Sequence, residues 1–214
     1  DFKINLSTSA EISYRILPAP HFLVKDSKVL LDDSETKKSI AEIKNLKVFL
    51  SQNNFFDKEN LSIKDIAIQD ANFSLLRGDF KLLNKVSNNQ FSNKKIKVNR
   101  STIFFKDHLE NLILITKIDE AILFFDDKKI LNLFNLKGEV YSIPFTFDLK
   151  KQTYFKKTKE INFIAKQLKL HILDKSIKKK DNSITGKNTI SFMNSTINTI
   201  YDFKDKLVIF TSAN

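Results

Sequence analysis

Few side chains in this sequence have the types and spacing that catalysis or metal binding requires. The three histidines, His21, His108 and His171, stand far apart. None has a second histidine at the spacing that brings metal ligands together on one helix or strand. The chain has no cysteine, which excludes disulfides, Cys-ligated zinc and thiol nucleophiles. We therefore expect structural or exposed histidines and no metal site.

Two carboxylate pairs and a partial phosphate-binding motif also fall short of the chemistry they suggest. Asp32-Asp33 and Asp126-Asp127 are adjacent pairs in predicted turns, and neighbouring residues of a strand point to opposite faces, so neither pair aims two carboxylates at one bond. Gly186-Lys187 resembles half of a P-loop, but the first glycine and the Ser or Thr after the lysine are missing. We expect a non-enzymatic protein with no catalytic residues and no cofactor.

The net charge of +11 over 214 residues raises the question of nucleic-acid binding. Only three of the 36 cationic side chains are arginines, and the other 33 are lysines. Proteins that recognise nucleic-acid sequence rely on arginine for bidentate contacts. The composition, rich in Lys, Asn, Ile and Phe but with only three glycines and three prolines, reflects A/T-rich codons. We therefore expect no specific nucleic-acid partner, and polyanion binding by the lysine surface is the least favoured alternative.

Alternation of apolar and polar residues recurs from end to end and predicts an all-β protein, with strands that include residues 130–140, 144–149, 161–173 and 190–200. The alternation slips at Asp65 and again at Asp70, which predicts β-bulges that keep the apolar side chains on one face as the strand curves. A short helix is predicted near residues 79–86 and a polar loop over 87–95. No run of about 18 apolar residues occurs, so no helix of these residues is expected to span a bilayer.

Two strands lack a polar face: Leu112–Ile115 and Ile122–Phe125. A strand that is apolar on both sides is expected to be covered on both sides, either by a sandwich core or by a ligand such as an acyl chain. Each buried methylene is worth about 0.8 kcal/mol, so an apolar β-channel can hold lipid without any polar motif. The candidate lipid-groove residues are Ile96, Val98, Ile103, Phe105, Leu112, Leu114, Leu123 and Phe125.

Three segments carry a resemblance to a known family. Residues 12–29 read as a strand, a Pro18-Ala19-Pro20 break and a second strand, residues 41–48 read as the strand before a short loop, and residues 55–75 read as a hairpin. In this order and form they resemble the N-terminal signature of AsmA-like proteins. The sequence departs from that pattern at Ala71, where proline is frequent, and at residues 58–60, where glycine is frequent.

The resemblance also extends loosely to two echoes, residues 96–109 and 190–207, which look like the repeating strand units of the same family. It implies an elongated, twisted antiparallel sheet curled into an open groove or half-barrel, organised as an N-terminal unit over 1–86, the loop over 87–95 and continuing β-groove repeats over 96–214.

The function implied by the resemblance is binding or conduction of phospholipid, or of another acyl-chain lipid, in support of outer-membrane biogenesis. AsmA/TamB-like proteins are periplasmic proteins of Gram-negative bacteria that are anchored in the inner membrane by an N-terminal helix. Because the sequence begins at Asp1, we expect it to be a fragment whose anchor is absent, with a membrane surface and other envelope proteins as partners. The alternative is a structural or interaction module, a β-sandwich or adhesin-like solenoid.

Overall fold

The computed structural model describes residues 4–6, 11–33, 36–51, 62–79, 89–152, 154, 157–205 and 207–213. These residues are almost entirely β-strand, and within them the only helical segments are two short 3-10 turns, Arg77–Asp79 and Lys166–Leu168. The prediction of an all-β protein is confirmed. The strands are β1 (Ile4–Leu6), β2 (Glu11–Arg15), β3 (His21–Asp33), β4 (Thr36–Leu50), β5 (Ile63–Leu76), β6 (Lys95–Lys106), β7 (Leu112–Asp126), β8 (Leu131–Val140), β9 (Ile143–Lys151), β10 (Thr158–Ala165), β11 (Leu170–Lys178), β12 (Ile184–Phe192), β13 (Ser195–Lys204) and β14 (Leu207–Ala213).

The chain divides into two compact units. The first comprises residues 1–84 and 94–122, and the second comprises residues 85–93 and 123–214. The division falls within strand β7, whose last residues, from Leu123 onward, belong to the second unit. Of the predicted loop at 87–95, the described residues 89–93 belong to the second unit and Lys95 begins strand β6.

In the first unit, strand order largely follows the chain: β1 and β2 both pair with β3, which pairs with β4, and β4 pairs with β5. These pairs are antiparallel, as predicted. The pairing of β5 with β6 differs from the prediction because it is parallel, with Ile68 opposite Val98. A parallel pair needs a long connection rather than a tight hairpin, and residues 77–94 provide that length.

A row of left-handed residues crosses the first unit at Asp26, Asp70 and Arg100, with φ angles of 51°, 56° and 47°. Asp70 and Arg100 occupy adjacent places on β5 and β6, and the guanidinium of Arg100 donates to both carboxylate oxygens of Asp70 at 3.0 and 3.2 Å. These hydrogen bonds lower the pKa of Asp70 below its ordinary 3.8. The alternation slip at Asp70 is present as a left-handed residue, but the predicted β-bulge is not, because β4 and β5 keep the same register on both sides, with Gln69 opposite Asn45 and Ala71 opposite Ile43.

The slip predicted near Asp65 is also present. The register of β4 and β5 shifts between Phe49, which lies opposite Asp65, and Leu50, which lies opposite Ile63. Lys64 is thus the extra residue of a bulge. The apolar side chains on either side of these irregularities stay together and form a buried cluster of Val24, Ala41, Ile43, Leu46 and Ala71, packed by Val29, Val48, Ile66, Ile68 and Phe73.

In the second unit, strands β8 to β14 pair consecutively and antiparallel. Their order does not return to close a barrel among the described residues, which confirms the predicted open sheet. Two predicted strands are wrong in extent. Residues 161–173 are divided between β10 and β11 by the turn at Lys166–Leu168, and residues 190–200 are divided between β12 and β13 at Met193.

The predicted repeat of residues 96–109 in residues 190–207 is not a structural repeat. Residues 96–103 lie within the single strand β6, whereas residues 190–197 include the turn between β12 and β13. The helix predicted near residues 79–86 lies outside the described residues beyond Asp79, which ends the first 3-10 turn. In the described part of the chain, no helix has the length and apolar character needed to cross a bilayer.

Candidate functional site

The second unit presents one continuous apolar row across six neighbouring strands. Register places these six residues side by side, one per strand, so that their side chains share one face of the sheet. We call this surface the apolar face. The row consists of Leu136, Phe147, Phe163, Ile172, Ile190 and Ile197.

The opposite surface of the same strands, the polar face, has a different composition. Its neighbouring row reads Asn135, Asp148, Asn162, Leu173, Thr189 and Asn198. Cross-strand hydrogen bonds link its members: Asn135 Nδ2 donates to Asp148 Oδ1 at 2.6 Å, and Thr189 Oγ1 donates to Asn198 Oδ1 at 2.8 Å. A hydrogen-bonded polar surface of this kind is typical of the solvent side of an antiparallel sheet.

The apolar face is only partly covered. The members of the row on β8 to β11 are half-buried, and those on β12 and β13 are exposed, with Ile190 at 37% and Ile197 at 53%. Leu149 and Ala165 on the same face are buried. Among the described residues, ten of the thirteen buried hydrophobic side chains belong to the first unit and three to the second. The second unit therefore leaves accessible the kind of surface that the first unit buries.

Aromatic rings pack against each other at the centre of the apolar face. Phe145 stacks on Phe163 with ring centroids 5.5 Å apart, and Phe134 meets Phe147 at 5.8 Å. Rings fixed against each other in this way form a smooth apolar surface at little cost in side-chain entropy.

Tyr201 lies flat across the apolar face near its β13 side. A Cβ at Gly186 would overlap the Tyr201 ring, so the absence of a side chain at this position makes room for it. The Tyr201 hydroxyl donates to Asp174 Oδ1 at 2.8 Å. Burial, followed by this contact with a carboxylate, raises the pKa of Tyr201 to about 12.

Lysines occupy one end of the apolar face. Lys151 on β9 lies directly opposite Lys159 on β10, and Lys178 on β11 lies diagonal to Lys159, two residues beyond its partner Ser176. Burial and the charges of Lys159 and Lys178 lower the pKa of Lys151 below its ordinary 10.5. We call these three residues the lysine end.

The β8 side of the apolar face is joined to the segment 89–93 by Asn132, which is fully buried. Asn132 Oδ1 accepts a hydrogen bond from the Phe91 amide at 2.9 Å, and Asn132 Nδ2 donates to the Asn89 carbonyl at 2.7 Å. Tyr154 adds a hydrogen bond to Gln90.

The polar face carries a shallow hollow of about 570 Å³ lined by Leu131, Ile177, Ile200 and lysine side chains. Glu160 pairs there with Lys150 at 3.0 Å and with Lys175 at 3.3 Å. The hydrogen bond from Lys150 lowers the pKa of Glu160. Lys159, a member of the lysine end, also lines this hollow.

The predicted groove residues lie mostly on the first unit. Their register opposite Ile66, Ile68, Phe73 and Leu75 puts the four on β6 on the face of the buried cluster. Val98 is buried, and Ile96, Ile103 and Phe105 are half-buried. On β7, Leu112 is 51% exposed, Leu114 and Leu123 are half-buried, and Phe125 is buried with its ring 6.4 Å from that of Tyr154.

A sandwich core does not cover the segment Leu112–Ile115, because Leu112, Ile113 and Ile115 are all exposed by 41% or more. Its cover by a ligand stays a prediction. The apolar face of β8 to β13 was missed because its strands alternate like any half-buried strand. Sequence periodicity does not show whether a second layer covers the apolar side.

The three histidines have ordinary surroundings. His21 is buried with Nδ1 2.7 Å from the Ala19 carbonyl, and His171 Nε2 lies 2.7 Å from Asn162 Oδ1. His108 is exposed. In the described residues, no three side chains of the metal-binding types come together.

No family model matches the chain, and a search of curated proteins finds no match. The AsmA-like resemblance therefore stays a prediction based on the three sequence segments.

Proposed function

We propose that this chain is a non-enzymatic lipid-binding protein that holds acyl chains on the apolar face of its second unit. The observation that carries the proposal is the row Leu136, Phe147, Phe163, Ile172, Ile190 and Ile197, which is wholly apolar and partly accessible.

The apolar face is wide enough for acyl chains that lie along its strands. Six strands at a spacing of about 4.8 Å give it a width of about 24 Å across the sheet. Each methylene that leaves water contributes about 0.8 kcal/mol when fully buried, so contact with this face supplies affinity without a polar recognition motif.

The AsmA-like resemblance supports placing this activity in the periplasm of a Gram-negative bacterium. There the protein would be anchored in the inner membrane by a segment outside this chain and would pass phospholipid toward the outer membrane. Its partners would be the lipid, a membrane surface and envelope proteins.

Lipid extraction and mass spectrometry of the purified protein test the proposal, with two variants of strand β10 that each add one negative charge. Phe163→Asp places the charge in the apolar row, and Asn162→Asp places it on the polar face. We expect co-purified lipid in the wild type and in Asn162→Asp. We expect at least about a tenfold loss in Phe163→Asp, because a buried Phe is worth about 1.5–3 kcal/mol.

Absence of lipid from the wild-type protein, together with no uptake of added lipid, would contradict the proposal. Equal lipid content in the two variants would contradict the placement on the apolar face. Circular dichroism of both variants establishes that the comparison is between folded proteins.

A second candidate, a protein-interaction module, is favoured by strand β14. Its side chains are exposed on both faces, with Leu207 at 60% and Phe210 at 66%. An exposed apolar surface of this kind is typical of sites of protein–protein contact. A lipid-free protein that self-associates would favour this candidate.

A further inference from the structure

Strands β9 and β10 present the same polarity gradient along the apolar face. From the lysine end, β9 reads Lys151, Leu149, Phe147, Phe145 and β10 reads Lys159, Ile161, Phe163, Ala165, with Leu149 opposite Ile161 and Phe147 opposite Phe163. At about 3.3 Å per residue, the six residue steps of each series span about 20 Å. The face is therefore cationic at one end and apolar along the rest of its length.

Three positive charges lie together at the lysine end. Lys151 faces Lys159 across the β9–β10 pair, and Lys178 lies diagonal to Lys159. Asp174 is the only carboxylate on the described part of this face in β8 to β13, and it accepts the hydroxyl of Tyr201. The lowered pKa of Lys151 reflects burial and the proximity of Lys159 and Lys178.

Resting on the proposed function, we propose that the lipid is an anionic amphiphile whose headgroup binds Lys151, Lys159 and Lys178 while its acyl chain lies along β9 and β10. A phosphate or carboxylate oxygen between these ammonium groups relieves their mutual repulsion and forms charge-assisted hydrogen bonds. The chain leaves the headgroup in the direction in which the face becomes apolar.

The same strands provide a matched control. Lys150, Lys175 and Lys187 lie on the polar face, in one row across β9, β11 and β12. The variant K151Q/K159Q/K178Q and the control K150Q/K175Q/K187Q remove the same number of charges from the same sheet. Any difference in binding between the two variants therefore depends on where the charges lie and not on the net charge.

The test measures equilibrium binding of a fluorescent dodecanoic acid and of its methyl ester, which share the acyl chain and differ in the charge. We expect the wild type and the control to bind the acid at least about tenfold more tightly than the ester, since a lysine near an anionic group contributes about 1 kcal/mol. We expect K151Q/K159Q/K178Q to bind both probes equally, with ester binding within about twofold of the wild type.

Equal binding of acid and ester by the wild type would overturn this inference and leave the proposed function standing. Loss of the acid preference in the control as well would overturn it, because the preference would then come from net charge. Binding of neither probe would overturn both proposals. If the triple variant does not fold, the single substitution Lys159→Gln, at the centre of the lysine end, is expected to reduce the preference by severalfold, and an unchanged preference would count against the inference.

Discussion

Tyr201 makes two contacts that depend on one another. Its ring covers Gly186, where any side chain would overlap it, and its hydroxyl reaches Asp174. Gly186 looks in the sequence like part of a failed phosphate-binding motif, yet its role here is to admit an aromatic ring from the neighbouring strand. A glycine at this place in a strand marks a close approach.

The raised pKa of Tyr201 gives a pH dependence with a definite sign. Its pKa is raised from 10.0 to about 12 in the folded protein, first by burial and then by Asp174. The Tyr201 hydroxyl therefore stays protonated to a higher pH in the folded state than in the unfolded state. Its contribution to the free energy of unfolding is complete below pH 10 and is lost as pH rises toward 12. We expect the free energy of unfolding to fall more steeply over this interval in the wild type than in Tyr201→Phe.

Urea unfolding across that pH interval measures the effect, and the lysines that also titrate there are common to both proteins. An absorbance titration offers an independent check, since one of the four tyrosines should ionise last and that step should disappear in Tyr201→Phe. Identical slopes for the two proteins would contradict the assignment.

The hairpin between β8 and β9 shows how a chain with three glycines makes turns. Val140 pairs with Ile143 across a two-residue turn, and both turn residues are left-handed, with φ 51° at Tyr141 and 63° at Ser142. This geometry normally selects Asn and Gly, because other residues pay a steric cost for a positive φ.

Ser142→Gly is therefore expected to stabilise the protein by about 0.5–1 kcal/mol. This figure is the steric cost that serine pays for a positive φ, minus the additional conformational entropy that glycine loses on folding. Ser142→Ala is the control, because alanine pays the same steric cost and should leave stability nearly unchanged. Urea midpoints of the two variants provide the measurement. A destabilising Ser142→Gly would show that the turn is not strained in solution.

The same scarcity of glycine explains which elements could be predicted from sequence. The alternation over β8 and β9 predicts their strands closely, whereas the slip at Asp70, which predicts a β-bulge, corresponds to a left-handed residue without a register shift. The turns at Lys169 and Met193 have positive φ without glycine or proline, so the sequence around them reads as uninterrupted strand. The two hairpins they form were consequently predicted as single strands.

The proposed lipid-binding surface could be predicted less well than the strands that carry it. The residues chosen on β6 face the buried cluster of the first unit, whereas the accessible apolar row lies on the second unit. Strands in both units show similar alternation. Whether an apolar face is buried depends on contacts between elements distant in sequence, which periodicity in one chain does not encode.

Binding through the net charge and binding through the apolar face are predicted to differ in their dependence on salt. A protein with 33 lysines is expected to bind DNA and anionic vesicles non-specifically at low ionic strength, and this binding weakens linearly in the logarithm of the salt concentration. At about 1 M salt the Debye length is about 3 Å, so contacts made by exposed lysines are largely screened. Contact between an acyl chain and the apolar face is not weakened by screening.

We therefore expect binding of the uncharged dodecanoic acid methyl ester to stay within about twofold between 0.1 M and 1 M salt, while binding of duplex DNA falls by at least about 1,000-fold. Fluorescence titration of each ligand at both salt concentrations makes the comparison. A parallel loss of ester and DNA binding would identify the lysine surface as the main binding determinant and favour a polyanion-binding protein. Persistence of ester binding after the charges are screened would assign the affinity to the apolar face, because hydrophobic contact with its side chains is not weakened by salt.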